Sequence, residues 1–212
     1  IRGGIVPGPI PAGIVPGPVS SVALQAVIDA HQKVFLRKGV YSLNDTVTLR
    51  KDTILFGAAR HLTRIEVQDS WDPTEETPII TTDDDAAATT YIGGLSIGVD
   101  ATNLANDWFV ALDWQAGRDS MVHMGRVYRE PAATLPGSRW ETNPHSLIRI
   151  RNSGGGRWYH TGAGKTLTSE HAGYRILKVE GTTEPLWLYG FNAEHPRGCD
   201  TSVEISNARN IR

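Results

Sequence analysis

Residues Val34–Val67 read VFLRKGVYSLNDTVTLRKDTILFGAARHLTRIEV, and the reading of this stretch decides the fold class. It holds three short runs, Val34–Leu36, Thr46–Leu49 and Thr53–Phe56, rich in Val, Ile, Leu, Phe and Thr and separated by Gly, Asn, Asp and Lys. The runs are too short for helices, and their β-branched content suits a half-buried pleated surface. Gly39 and Gly57 each follow an apolar run, where a sharp corner favours a residue free to adopt positive φ. Strand, corner, strand, corner, strand is the rhythm of a coil in a parallel β-solenoid, and it fits a β-meander equally well.

The flanking sequence extends this rhythm. Upstream, Ile-Val-Pro-Gly-Pro occurs at 5–9 and again at 14–18. Proline fixes φ and removes a donor, so residues 1–20 are expected to form an extended arm or linker outside any central sheet. Ser20 or Ser21 then caps a predicted helix over Val22–Gln32, with an apolar stripe of Val22, Leu24, Ala26, Val27 and Ala30. A helix here closes the exposed end of a solenoid that occupies 21–212.

Downstream, Asp69–Ala88 reads as an acidic, irregular loop. Strand-like runs resume at Thr89–Ile92, Leu95–Val99, Trp108–Trp114 and Met121–Tyr128. After a Pro-bearing insertion at Glu130–Asn143 come Ser146–Arg151, Arg157–His160, Tyr174–Glu180, Leu186–Tyr189 and Ser202–Ile205. The last residues read as a strand, an Asn-bearing corner and the opening of another strand, so the solenoid is expected to continue beyond 212.

Composition narrows the function classes. The chain has 212 residues, 21 basic against 23 acidic, and a net charge of −2 with no basic stripe, which argues against a nucleic-acid partner. No apolar run approaches the length of about 18 residues that a membrane-spanning helix needs. The single Cys199 has no internal disulfide partner and reads as a small residue near a turn. Histidines 31, 61, 123, 145, 160, 171 and 195 lack metal-ligand spacing, and Asp83-Asp84-Asp85 lacks the alternate-residue pattern of a calcium loop. No metal and no cofactor are therefore expected.

The stretch Phe35, Leu36, Lys38, Gly39, Tyr41, then Val47, Leu49, Ile54, Leu55 and Gly57, resembles the pattern of right-handed parallel β-helix proteins of the pectate-lyase-like superfamily. Later segments sharpen the resemblance toward glycoside hydrolase family 55, a family of β-1,3-glucanases. These segments are Val110–Gln115 with Ser120, Ser153-Gly-Gly-Gly156, Glu184–Gly190 with Ala193-Glu194-His195, and Asn207–Ile211. Together they run from Phe35 to Ile211. The resemblance implies an all-β, right-handed parallel β-helix, a polysaccharide substrate, a second β-helix packed alongside, and an extracellular or periplasmic home.

It also implies a site. Glycoside hydrolysis needs a carboxylic acid and a second group that activates water or attacks the sugar. By resemblance Glu194 is the acidic residue of a Glu-His coil, Ser153 helps place the water, and His195, Gln115 and Arg118 contact substrate. Where the family has Gln this chain has Arg118, and the family's general acid would lie on a coil past Arg212. Trp158 and Trp187 are candidate sugar platforms, although the apolar run Leu186-Trp-Leu-Tyr189 favours core packing for Trp187, and Trp114 reads as core. A structural role for the Glu194–His195 pair and for the Ser153–Gly156 turn stays open. So do two other readings: a non-catalytic polysaccharide-binding or structural module, and a polysaccharide lyase drawing its base from Arg118 or Arg149.

Overall fold

The computed structural model describes residues 13–15, 19–68, 70–100, 108–123, 125–130, 146–165, 175–194 and 201–212. A short strand β1 (Ile14–Val15) precedes helix α1 (Ser21–Ala30). The coils follow: β2 (Lys33–Leu36), β3 (Gly39–Leu43) and β4 (Val47–Leu49), then β5 (Ile54–Gly57), β6 (Thr63–Val67) and β7 (Thr77–Thr82). Next come β8 (Tyr91–Gly93), β9 (Ser96–Asp100) and β10 (Phe109–Trp114), and β11 (Met121–His123), β12 (Arg126–Glu130) and β13 (Ser146–Arg151). The last described coils are β14 (Gly156–Tyr159), β15 (Gly162–Lys165) and β16 (Arg175–Glu180), and β17 (Leu186–Tyr189), β18 (Asn192–Glu194) and β19 (Val203–Ser206).

Each coil gives one strand to each of three all-parallel sheets. Sheet A stacks β1-β2-β5-β8-β11-β14-β17, sheet B stacks β3 to β18, and sheet C stacks β4 to β19. The result is the expected right-handed parallel β-helix. Strand pairing is between coils, so Val34, Leu55, Ile92, Val122 and Trp158 stand in one inward row on sheet A. Tyr41, Ile65, Ile97, Val127 and Ala163 form the corresponding row on sheet B. Leu49, Thr82, Trp114, Ile150 and Val179 line sheet C. These rows are buried and interlock into one core. At the sixth coil the same parity meets solvent, with Val203 and Ile205 exposed.

The first coil is closed by the helix. Ser20 caps it, its Oγ accepting from Ala23 N. Leu24 and Ile28 are buried, whereas Val22, expected in the apolar stripe, is 75% exposed. Two polar side chains on the helix finish the sheet edge. Gln25 accepts from Thr48 N through Oε1 (2.8 Å) and donates to Thr48 O through Nε2 (3.0 Å), standing in for a preceding strand. Ser21 Oγ accepts from the backbone N–H groups of Asn44 and Asp45. In the arm, Ile14 and Val15 add an edge strand to sheet A in register with Phe35 and Leu36.

Several local expectations are corrected. Gly39–Leu43 is a strand, so the opening stretch carries more strands than its apolar runs suggest. Thr77–Thr82 is a strand of sheet C inside a stretch read as an acidic loop. Met121–Tyr128 is two strands on different sheets, split at a corner. Gly57 is required by close approach, since a Cβ there would meet the carbonyl oxygen of Gly94 at 2.6 Å. The positive φ falls on Gly94 instead (63°).

Candidate functional site

Once one side of each strand is committed to the core, the other side faces outward. On sheet A this outward side is aromatic along most of its length. One row runs Phe35, Phe56, Gly93, His123, Tyr159 and Tyr189, each in register with the next. The row beside it includes Tyr91, Met121, Arg157 and Trp187. Gly93 leaves no gap in the first row, because the Tyr91 ring lies across it; a Cβ on Gly93 would fall 2.4 Å from the Tyr91 hydroxyl oxygen. Burial pushes the Tyr91 hydroxyl above its ordinary pKa.

The rings meet in pairs. Phe35 and Phe56 pack with centroids 5.5 Å apart, and His123 meets the Tyr159 ring edge-on at 6.1 Å. Tyr159 and Tyr189 stack at 4.9 Å with planes 10° apart. The Arg157 guanidinium lies over the Trp187 ring, 5.1 Å from its centroid. Phe56 and Tyr189 are both 46% exposed. The surface therefore offers ring edges, phenol hydroxyls, an imidazole and a guanidinium along a straight line set by the strand spacing, about 4.8 Å per coil.

The expected platform residues trade roles. Trp158 is fully buried, packed edge-on against Trp114 at 5.6 Å and against Phe191 at 6.4 Å, so it has no face for a sugar. Trp114 is core as expected, and its indole N–H donates to Gly155 O (2.9 Å). Trp187 projects outward beside the aromatic row.

Glu194 lies within β18 on sheet B, outward-facing and exposed. Its side chain folds back over Gly164 of the coil before, whose added Cβ would fall 2.6 Å from Glu194 Oε2. Among the described residues Glu194 has no ion-pair partner. A similar saddle lies earlier on the same face. Tyr128 crosses Gly98 and its hydroxyl bonds the buried Glu66. His195 lies outside the described residues.

Ser153 is elsewhere, at the corner between sheets C and A. Its N–H donates to Asp84 Oδ1 (3.1 Å), and the three glycines after it form a close-packed turn. A Cβ on Gly154, Gly155 or Gly156 would come within 2.5, 2.8 and 2.3 Å of neighbouring atoms. Arg118 and Gln115 share this corner. Arg118 pairs with Glu184 (3.2 Å), and Gln115 Oε1 accepts from Asn152 Nδ2 (2.6 Å). The structure thus gathers Ser153, Arg118 and Gln115 at one corner and leaves Glu194 on sheet B, away from it.

The corner borders a charge cluster that single-sequence reading missed. Asp113 faces outward on sheet C yet is 1% exposed, bonded by Arg149 (3.2 Å) and Arg151 (2.8 Å), with Glu76 on the far side of Arg149 (2.7 Å). Burial pushes the Asp113 carboxyl up, but the two guanidinium groups outweigh it and hold the group below its ordinary pKa. Its signal would have been the register that puts Asp113 beside Arg149. The aspartates at 83–85 are likewise tied to their surroundings. Asp83 accepts from Lys51 N and Asp85 from Ala87 N. Among the described residues no group of three or more His, Cys, Asp or Glu is placed to hold a metal ion, and no helix is long and apolar enough to cross a membrane.

Comparison with known proteins adds little beyond this geometry. No family model matches the chain, and no curated protein does. Among solved structures the chain is similar to ORF18 of Geobacillus virus E2, at 13% identity and a TM-score of 0.46. That match covers 90% of this chain and 46% of the viral one, so the chain spans about half the length of the structure it matches.

Proposed function

We propose that this β-helix binds a polysaccharide along the outward face of sheet A. The observation that carries this reading is the aromatic row ending in the stacked Tyr159 and Tyr189, flanked by Trp187 and Arg157. Amphipathic rings combine apolar surface with hydrogen-bonding groups, which suits the mixed C–H and hydroxyl surface of a sugar. A line of them in strand register suits an extended chain better than a compact ligand. Exposed aromatic surface of this extent on a soluble β-helix calls for an occupant.

Binding without hydrolysis is favoured over the family 55-like reading because Glu194 and Ser153 do not share a groove. That reading needs both residues beside one scissile bond, because the water and the carboxyl groups that act on it flank the same sugar. The observation that keeps hydrolysis as a second reading is the exposed Glu194 carboxylate on the outward side of β18, which forms no ion pair among the described residues. A secreted or periplasmic setting belongs to the same proposal.

The test is affinity electrophoresis against β-1,3-glucan, mixed-linkage glucan, pectate and alginate, with products resolved afterwards. Retardation by at least one polysaccharide, abolished in Tyr159→Ala/Tyr189→Ala, supports the reading. Mobility unchanged by all four rejects it. Reducing sugars that disappear in Glu194→Gln would move the assignment to hydrolysis, and ultraviolet-absorbing unsaturated products would move it to a lyase.

A further inference from the structure

A cavity of about 360 Å³ opens where sheet A turns into sheet B in the early coils. Lys38, Arg60, His61, Arg64, Ser96 and Arg126 line it, and no carboxylate does. This concentration of positive charge stands out in a chain whose net charge is −2.

The coil geometry explains the convergence. Arg64, Ser96 and Arg126 are in register on consecutive strands of sheet B, so the two arginines flank a serine too short to fill the space between them. Ser96 becomes the floor, and its hydroxyl donates to Arg60 O, tying down the turn that carries Arg60 and His61. Lys38 enters from the equivalent turn of the coil before. Arg60 Nε donates to His61 Nε2 (3.0 Å), which sets that imidazole beside the guanidinium as an acceptor.

Half of this charge, that of Lys38 and Arg60, is uncompensated among the described residues, whereas the Arg126 guanidinium lies over the Tyr128 ring, 4.8 Å from its centroid. Arg64 has Glu66 at 3.1 Å, but Glu66 is buried and also receives the Tyr128 hydroxyl. Among the described residues neither Lys38 nor Arg60 forms an ion pair. Like charges held around one cavity repel each other, and an anion bearing several acceptor oxygens would relieve that repulsion through charge-assisted hydrogen bonds.

We infer that this cavity is an oxyanion-binding site, taking a sulfate, phosphate or carboxylate either free or as a substituent on a larger ligand. The site is separate from the aromatic row and stands whether or not that row binds sugar.

The experiment is an amide-shift titration of the whole protein with inorganic sulfate, hexagalacturonate and neutral laminarihexaose, at low and high sodium chloride. Sulfate and hexagalacturonate are expected to shift the amides of residues 60–64 and Ser96 saturably, and less so at high salt. Lys38→Gln/Arg60→Gln, two exposed positions outside the core, should weaken that binding at least about tenfold, the value of one charge-assisted hydrogen bond. Arg126→Gln is an independent second variant. Much tighter binding of hexagalacturonate than of sulfate assigns the site to a substituted glycan, and equal binding assigns it to a free anion. Absent shifts, shifts unaffected by both sets of substitutions, or equal shifts with laminarihexaose overturn the inference.

Discussion

Tyr189 stacks on Tyr159 with ring centroids 4.9 Å apart and planes 10° from parallel. The two residues are thirty positions apart in sequence, yet the parallel register of β14 and β17 makes them neighbours on one face. Stacking of this kind contributes about 0.5–1.5 kcal/mol beyond the area it buries. With Tyr189 46% exposed, nearly half of its surface remains open to a ligand.

Tyr189→Ala is therefore expected to cost about 1 kcal/mol of stability and much more in polysaccharide retardation. Urea melts of Tyr159→Ala, Tyr189→Ala and the double variant form a cycle. Additive losses would mean that the rings do not couple across the coils.

Trp158 and Trp187 should separate fold from binding. Trp158→Ala empties a fully buried site between Trp114 and Phe191 and is expected to cost about 3–5 kcal/mol. Trp187→Ala removes an outward ring and should change stability by less than about 1.5 kcal/mol while weakening polysaccharide binding. Denaturant melts and affinity gels on both variants decide this, and the reverse ordering would contradict the inward and outward assignment.

Asp113 predicts a pH dependence. Its carboxyl is held below the ordinary value of 3.8 in the folded chain, so the unfolded chain takes up the proton first as pH falls. Its contribution is complete above the ordinary carboxylate range and is lost as pH drops through the lower, folded value. Asp113→Asn leaves Arg149 and Arg151 without their shared anion and should cost about 3–5 kcal/mol near neutrality. Thermal melts across pH should show the gap between variant and wild type closing only in strong acid.

The glycine saddles on sheet B predict a contrast. Gly98→Ala would drive a Cβ into the Tyr128 ring at 2.5 Å, and that ring is buried and held by Glu66. Overpacking of this kind costs about 1–3 kcal/mol. At Gly164 the closest obstacle is the flexible end of Glu194, with the Glu194 Cβ next at 3.0 Å, so Gly164→Ala should displace the carboxylate and cost less than Gly98→Ala. Melting temperatures of the two variants test the difference. Equal losses would show that Glu194 is held as firmly as Tyr128.

Much of the fold was legible because short-range patterns carry it. The alternation in Ser146–Arg151 and the short apolar run Leu186–Tyr189 place both strands at their observed bounds. The Ser20 cap and the Asn-bearing corner at Asn207, where φ is 50°, follow from local backbone chemistry. Two strands that escaped notice lack an apolar pattern of their own. Gly162–Lys165 and Asn192–Glu194 hold their shape through parallel pairing to neighbouring coils.

Local pattern in the sequence settles the class through short β-branched runs, glycine and asparagine corners and a capped helix. Coil stacking in the tertiary structure decides which side of each strand faces solvent. The local sequence favours a core place for Trp187 and an outward one for Trp158, and register with adjacent coils reverses both, burying Trp158 and leaving Trp187 half-buried on the outward side. The same register brings Asp113 to Arg149 and sets Arg64 and Arg126 on either side of Ser96. The physical reason is that a β-helix makes its contacts between successive coils, where neighbours in space are a full turn apart in sequence and the connections between them vary in length. Alternation fixes two faces on each strand, but the stacking of coils determines which side chains on those faces meet.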